Sequence, residues 1–155
     1  MLACNIKRKA TDPKWGTCIF LFNPDNPEEM LIFKRAEGER QEPGSWGFAG
    51  GKVDIGETAA EAILREVKEE TGIDLLHYSY VGEFIKDDYR DFVFMSTVWF
   101  GEIKLDPKEC AEYSWVTLDD IHNQQVESKP VSIFSFTKAS VEFYEEWLKA
   151  RKSFS

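Results

Sequence analysis

Apolar residues fall along the chain in two periods. Residues 15–22 and 29–34 are dense in β-branched, aromatic and aliphatic side chains, which predicts two short strands. Between them Asn23-Pro24-Asp25-Asn26-Pro27 demands a turn, so the pair reads as a hairpin. Residues 35–49 turn polar and carry Gly38, Pro43, Gly44 and Gly47, a loop rather than a linker because Trp46 and Phe48 still seek burial. Residues 58–71 switch to a helical period. Thr58 with Glu61 three positions on makes a capping box, the interior is Ala, Leu, Glu, Lys and Arg, and Gly72 supplies the stop. Residues 78–85 and 91–100 read as a second antiparallel pair about the polar break 86–90, and 113–116 as a further strand. Thr117-Leu118-Asp119-Asp120 is a helix start. In residues 135–152, Phe136, Ala139, Phe143, Tyr144, Trp147 and Leu148 recur at three-to-four spacing, an amphipathic helix packed on the sheet.

The chain has 155 residues, 43% of them hydrophobic, enough for one domain spanning 1–155, with no repeat or low-complexity segment to suggest a second. Its net charge of −9 argues against sequence-independent nucleic-acid binding, which rests on Lys and Arg neutralising phosphates. Cys4, Cys18 and Cys110 show no C-x-x-C spacing and read as reduced thiols. Without an apolar run near the roughly 20 residues that span a bilayer, or a signal-peptide core, the expectation is a cytoplasmic protein without membrane partners.

The helix from Thr58 carries the chemistry. At about 100° per residue, Ala60, Ile63, Leu64 and Val67 form the expected core face, while Glu66, Glu69 and Glu70 share a neighbouring arc. Like charges three and four residues apart destabilise a helix by a few tenths of a kcal/mol each. Such a stripe is ordinarily a solvated face, but three clustered carboxylates also suit a hard cation, Mg²⁺ or Mn²⁺, which relieves their repulsion.

Wider context favours the cation. Gly51, Glu57, Arg65, Glu66, Val67, Glu69, Glu70, Gly72 and Ile73 fit G-x5-E-x7-R-E-U-x-E-E-x-G-U, where U is a bulky aliphatic residue. With residue frequencies near 7% for types such as Gly, a chance match is on the order of one in ten million. This resembles the Nudix box of the Nudix hydrolase superfamily. The resemblance extends to Gly44-Ser45-Trp46-Gly47-Phe48-Ala49-Gly50-Gly51, with Ala49 where the family most often has proline, and to Leu31-Ile32-Phe33-Lys34-Arg35-Ala36, similar to the strand and basic pair of MutT-like members. Glu109, followed by Trp115-Val116-Thr117-Leu118-Asp119-Asp120, is similar to the family's acidic residue and W-x-x-L-D-E-L stretch.

The resemblance implies an α/β fold, an α/β/α sandwich with a mixed sheet and a loop-helix-loop catalytic motif. It implies Mg²⁺ or Mn²⁺ held by Glu66, Glu69, Glu70 and the Gly50 carbonyl, outer support from Glu57, and a further ligand in Glu109, with Glu112 second. Arg65 can reach back to Glu57 or brace a neighbouring carboxylate, and Glu66, Glu69 or another acid serves as general base. Arg35 is the expected phosphate or base contact. Phe22, Trp46, Phe48, Phe84, Tyr89 and Trp99 are aromatics near the expected cleft, most of them core, with Trp46, Phe48 and Tyr89 the candidates for substrate binding and one or two of these expected to stack a base. The expected reaction is hydrolysis of a (d)NTP to a nucleoside monophosphate and pyrophosphate. Dinucleoside polyphosphates, ADP-ribose and nucleotide sugars stand as alternative substrates, and a non-catalytic nucleotide sensor as the alternative role. The S-Q-P-W-P-F-P-x-S stretch of NADH diphosphatases does not follow the box, and monomer and homodimer both remain open.

Overall fold

The computed structural model describes residues 1–153. A short 3-10 turn at Ala3–Asn5 precedes β1 (Lys14–Asn23) and β2 (Asn26–Arg35), joined by the expected tight turn at Pro24-Asp25. β3 (Trp46–Gly47) and β4 (Ala49–Lys52) follow within and just beyond the segment read as loop. Then come α1 (Ala59–Thr71), β5 (Asp74–Lys86), β6 (Tyr89–Phe100), β7 (Cys110–Val116), α2 (Leu118–His122), β8 (Gln125–Val126), β9 (Lys129–Pro130) and α3 (Ser135–Lys152). The break between β5 and β6 is only two residues long, with Asp87 left-handed at φ 55°.

Seven strands make one mixed sheet in the order β3-β2-β1-β6-β5, with β4 paired to β1 and β7 to β2. β1 runs parallel to β6 from Lys14↔Tyr89 to Leu21↔Ser96, and the other pairings are antiparallel. The first half of β1 pairs with β4 through Gly16↔Lys52 to Ile19↔Ala49, while its end pairs with β2 at Phe22↔Met30. β1 and β2 therefore diverge, and the gap opens a cleft.

Side-chain alternation along β1 divides the core in two. Trp15, Ile19 and Leu21 point toward α1 and pack with Leu31, Phe33, Phe92, Phe94, Ile63 and Val67. Phe20 and Phe22 point the other way and pack with Met30, Ile32, Val93, Ile121, Val141 and Tyr144, under α2 and α3. Two apolar faces covered by helices give the three-layer α/β/α sandwich.

α1 starts and stops as its sequence demands. Thr58 Oγ1 accepts from Glu61 N at 3.0 Å, Glu61 Oε1 accepts from Thr58 N at 3.0 Å, and Gly72 ends the helix at φ 75°. Its core face needs one correction: Leu64 is 38% exposed, whereas Ala59, Ala62 and Ile63 are buried. The apolar stripe lies rotated toward Ala59 and Ala62, small side chains that let the helix sit close to the sheet.

Candidate functional site

Glu66, Glu70 and Glu109 each place a carboxylate oxygen within 4.8 Å of the others. α1 presents Glu66 and Glu70 four residues apart on one face. Glu109 stands just before β7, where its carbonyl accepts from Ala36 N at 3.0 Å and ties that segment to the end of β2. Glu70 is only 7% exposed. Burial, followed by the charge of Glu66 and a hydrogen bond to it, pushes its carboxyl well above the ordinary range, while a backbone contact from Gly50 pulls the other way. Burial likewise raises Glu66, and burial with the charge of Glu66 raises Glu109.

Two glycines make this packing possible. A Cβ on Gly51 would lie 2.5 Å from Glu66 Cδ, so the missing side chain is the space the carboxylate occupies. Gly50, at φ 154°, would put a Cβ 2.0 Å from the Thr17 carbonyl oxygen, because β4 is drawn tightly onto β1 there.

Arg65 locks the acids around it. Its Nε and Nη2 donate to Glu57 Oε2 and Oε1 at 2.8 and 3.0 Å, a two-pronged pair, while Nη1 donates to Glu66 Oε1 at 2.9 Å. Nη1 also reaches Glu69 Oε2 at 3.4 Å, and Nη2 donates to the Lys52 carbonyl at 3.1 Å. These hydrogen bonds hold the Glu57 carboxyl below its ordinary value and raise the guanidinium further. Glu57 and Glu69 thus stand outside the three-carboxylate cluster, bound to Arg65 instead. Glu112 is turned to Lys34, at 3.6 Å.

The cluster forms part of the lining of a cleft of about 440 Å³, within the range of small-ligand sites. Arg35 lines it as well, with its guanidinium 4.3 Å over the Phe134 ring and Nε donating to the Gln41 carbonyl at 2.9 Å. Of the aromatics named from sequence, Phe48 and Tyr89 line the cleft. Trp46 is a correction: it pairs with Lys34 across β2 and β3 and is 7% exposed in the α3-side core, where its indole packs rather than facing ligand. Phe22 is buried in the same core, Phe84 packs on Phe143 with centroids 5.7 Å apart, and Trp99 stacks on Trp115 at 6.1 Å.

Sequence reasoning missed Phe134, Phe136 and Asp91 as cleft residues. The spacing puts Phe136 on the packed face of α3, yet its ring meets Tyr89 edge-on at 5.4 Å and lines the cleft. Asp91 was read as an ordinary strand opener. It is 5% exposed, and Oδ1 is one of three buried side-chain atoms without a hydrogen-bond partner among the described residues, with Trp15 Nε1 and Thr17 Oγ1. An acid at the head of an apolar strand is unremarkable in sequence, and the Gly16↔Asp91 apposition that marks it comes only from the pairing of β1 with β6.

The family model for the NUDIX domain matches residues 12–135. The chain belongs to the Nudix family. Among solved structures, this Nudix chain is similar to a MutT protein from Methanosarcina mazei Go1, with 27% identity and TM-score 0.71 over 93% of this chain and 99% of that one. It is also similar to a MutT NUDIX hydrolase from Burkholderia pseudomallei, with 25% identity and TM-score 0.67 over 83% and 95% of the two chains. Among curated proteins it is 30% identical over 122 residues to the NAD-capped RNA hydrolase NudC of Escherichia coli O157:H7, covering 77% of this chain and 46% of that protein. The chain spans less than half the length of such curated relatives. No helix among the described residues is long and apolar enough to cross a membrane.

Proposed function

We propose that this Nudix domain is a Mg²⁺- or Mn²⁺-dependent pyrophosphohydrolase that splits a phosphoanhydride of a nucleoside diphosphate derivative, with a (d)NTP giving the monophosphate and pyrophosphate. The observation that carries the reading is the cluster of Glu66, Glu70 and Glu109, three oxygen donors whose packed charges favour either protons or a hard cation. Glu66, Glu70 and Glu109 hold the cation, with the Gly50 backbone beside them. Bound there, it supplies a Lewis acid that lowers the pKa of the attacking water and offsets charge on the anhydride oxygens.

The chain's own groups do the rest. Arg65 holds the Glu66 rotamer through Nη1 and anchors Glu57, so the carboxylates keep their positions as the substrate arrives. Glu66, with Oε1 turned to Arg65, takes the proton of the attacking water at Oε2. Glu69, at the rim and half-exposed, is a further acid bound by Arg65 and the second candidate for that proton. Arg35 supplies positive charge for phosphate, and Phe48 and Tyr89 offer ring surface to a base.

The test is a panel of (d)NTPs, dinucleoside polyphosphates, ADP-ribose, nucleotide sugars and NAD with Mg²⁺ or Mn²⁺, in isotopically labelled water so that the attacked phosphorus is identified. Pyrophosphate release from a triphosphate, lost on chelation, is expected. Failure to hydrolyse any anhydride in the panel would refute the proposal.

A further inference from the structure

The cleft has a second polar feature that the hydrolytic reading leaves unused. On the side built from β1, β6 and α3, Asp91 sits at the start of β6 against Gly16, which places no side chain beside Oδ1; a Cβ there would lie 3.4 Å from it. Asp91 lines the cleft, is 5% exposed, and its Oδ1 accepts from no group among the described residues. The Ser140 and Cys18 donors on this side of β1 are committed elsewhere. Ser140 Oγ donates to the Phe136 carbonyl at 2.7 Å, which leaves the Cys18 thiol to donate to Ser140 at 3.2 Å. Nearby cations are also engaged: Arg90 donates to Glu83 and lies over the Trp15 and Phe92 rings, Lys14 pairs with Asp88, and Lys86 lies over the Phe136 ring.

A buried acceptor without a donor is unfavourable, and a ligand that brings one removes the deficit. The cleft also has aromatic lining: Phe48, packed on Phe20 with centroids 4.3 Å apart, and Phe136, held edge-on by Tyr89. Flat apolar faces around a single orphan oxygen match a nucleobase that stacks with its rings and donates from its edge.

We infer that Asp91, in the cleft it lines together with Phe48 and Phe136, is the base-reading residue and selects nucleobases that turn an exocyclic amino group toward Oδ1 over those that present an oxo group there. The inference rests on the nucleotide-hydrolase reading and deepens it. With the carboxyl ionised, above about pH 7, an amino N–H satisfies the orphan oxygen, whereas an oxo group sets lone pair against lone pair in a buried site, and discrimination is strongest where a site's own polar group is left unpaired. Burial pushes the Asp91 carboxyl up to about 7, against a backbone hydrogen bond from Phe92 that pulls it down, and Oδ1 is the oxygen left without a partner among the described residues.

The experiment is equilibrium binding of nucleoside monophosphates, which need no hydrolysis, to the Mn²⁺-supplemented protein by calorimetry. The matched pairs, measured at pH 8 where Asp91 is ionised, are AMP against IMP, GMP against XMP, and CMP against UMP, each with wild type, Asp91→Asn and Asp91→Ala. Expected is a Kd at least tenfold tighter for the amino partner in one pair or more, collapsing to within threefold in Asp91→Ala and partly kept in Asp91→Asn, whose amide retains an acceptor. Thermal melting confirms that each variant is folded, and should the alanine variant fail to fold, the asparagine variant must reduce the preference at least threefold. The inference is overturned if no wild-type pair differs by more than threefold, if the oxo partner binds tighter, if Asp91→Ala keeps the preference, or if no monophosphate binds at millimolar concentration. Triphosphate turnover measured in parallel separates the two readings: preference without turnover refutes the hydrolase alone, and turnover without preference refutes the role of Asp91 alone.

Discussion

Replacing Gly51 with alanine tests whether the carboxylate cluster is positioned as tightly as its geometry implies. The new Cβ would lie 2.5 Å from Glu66 Cδ and 2.7 Å from both carboxylate oxygens, short of an ordinary 3.4 Å contact by 0.9 Å at the carbon. Gly51 does not occupy the left-handed region, so the backbone accepts alanine and relief comes from the flexible tip of Glu66. A displacement of this size at a reacting centre costs about 10²-fold in rate, equivalent to roughly 2.7 kcal/mol of barrier. Folding stability changes little, because the side chain swings aside and the lost glycine entropy offsets residual strain to within about 1 kcal/mol, or about 2–4 °C in Tm. The assay pairs turnover of whichever nucleotide the wild type hydrolyses with thermal melting. Turnover within threefold of wild type would refute the idea that Glu66 placement matters, and a Tm loss above about 10 °C would show that Glu66 cannot yield. Gly50→Ala provides the contrast: its Cβ would meet backbone, the Thr17 carbonyl oxygen at 2.0 Å, which cannot swing away. That variant is expected to lose about 3 kcal/mol or more, read as an early urea transition.

Three further outcomes follow from the same geometry. Glu70→Gln removes a charge from the buried cluster, so the metal-free variant is expected to be more stable than wild type by about 1 kcal/mol at pH 8. It should also lose the Mn²⁺ stabilisation that wild type gains, about 2.7 kcal/mol at a hundredfold excess over Kd; an undiminished Mn²⁺ response in the melt would contradict the assignment of Glu70. Asp91, raised from 3.8 to about 7 on folding, binds more protons folded than unfolded between those values. Its contribution is therefore lost as pH rises from about 4 through 7, up to roughly 4 kcal/mol. Asp91→Asn is expected to flatten that part of the urea-stability profile and to exceed wild type at pH 8, and an unchanged slope would count against the burial of this charge. Arg65→Lys keeps a cation but loses the two-pronged grip on Glu57, so kcat should fall at least tenfold with the fold retained; wild-type kcat would show that bracing is dispensable.

Local features were the legible ones. α1, its capping box and its glycine stop depend on residues within a few positions of one another, and both long hairpins were marked by their turns. The parallel pairing of β1 with β6 joins segments some 75 residues apart, and no local pattern marks it. Leu64 was misplaced because an ideal helical wheel cannot tell which edge of the stripe the sheet will meet, and Ala59 and Ala62 allowed the closer approach. Trp46 and Phe136 exchanged expected roles for a similar reason: an aromatic ring suits a core or a cleft equally, and only the splay between β1 and β2 decides which it faces. The pairing of Glu57 with Arg65 was readable as one of two options from residue types, but the choice needed the fold of the loop before α1. Asp91 was illegible because its significance lies in what does not reach it.

The alternation of β1 separates what the two sides of the cleft can change. The strand's α1-facing side supports the carboxylate cluster through β4, whereas Cys18 and the neighbouring Asp91 belong with Ser140 and Phe136 on the side of α3. Selectivity can then drift without dismantling hydrolysis, because substitutions at positions 18, 91, 136 and 140 reshape one side of the cleft and leave the Arg65 network intact. A library confined to those four positions would explore new substrates from a scaffold whose chemistry is already set.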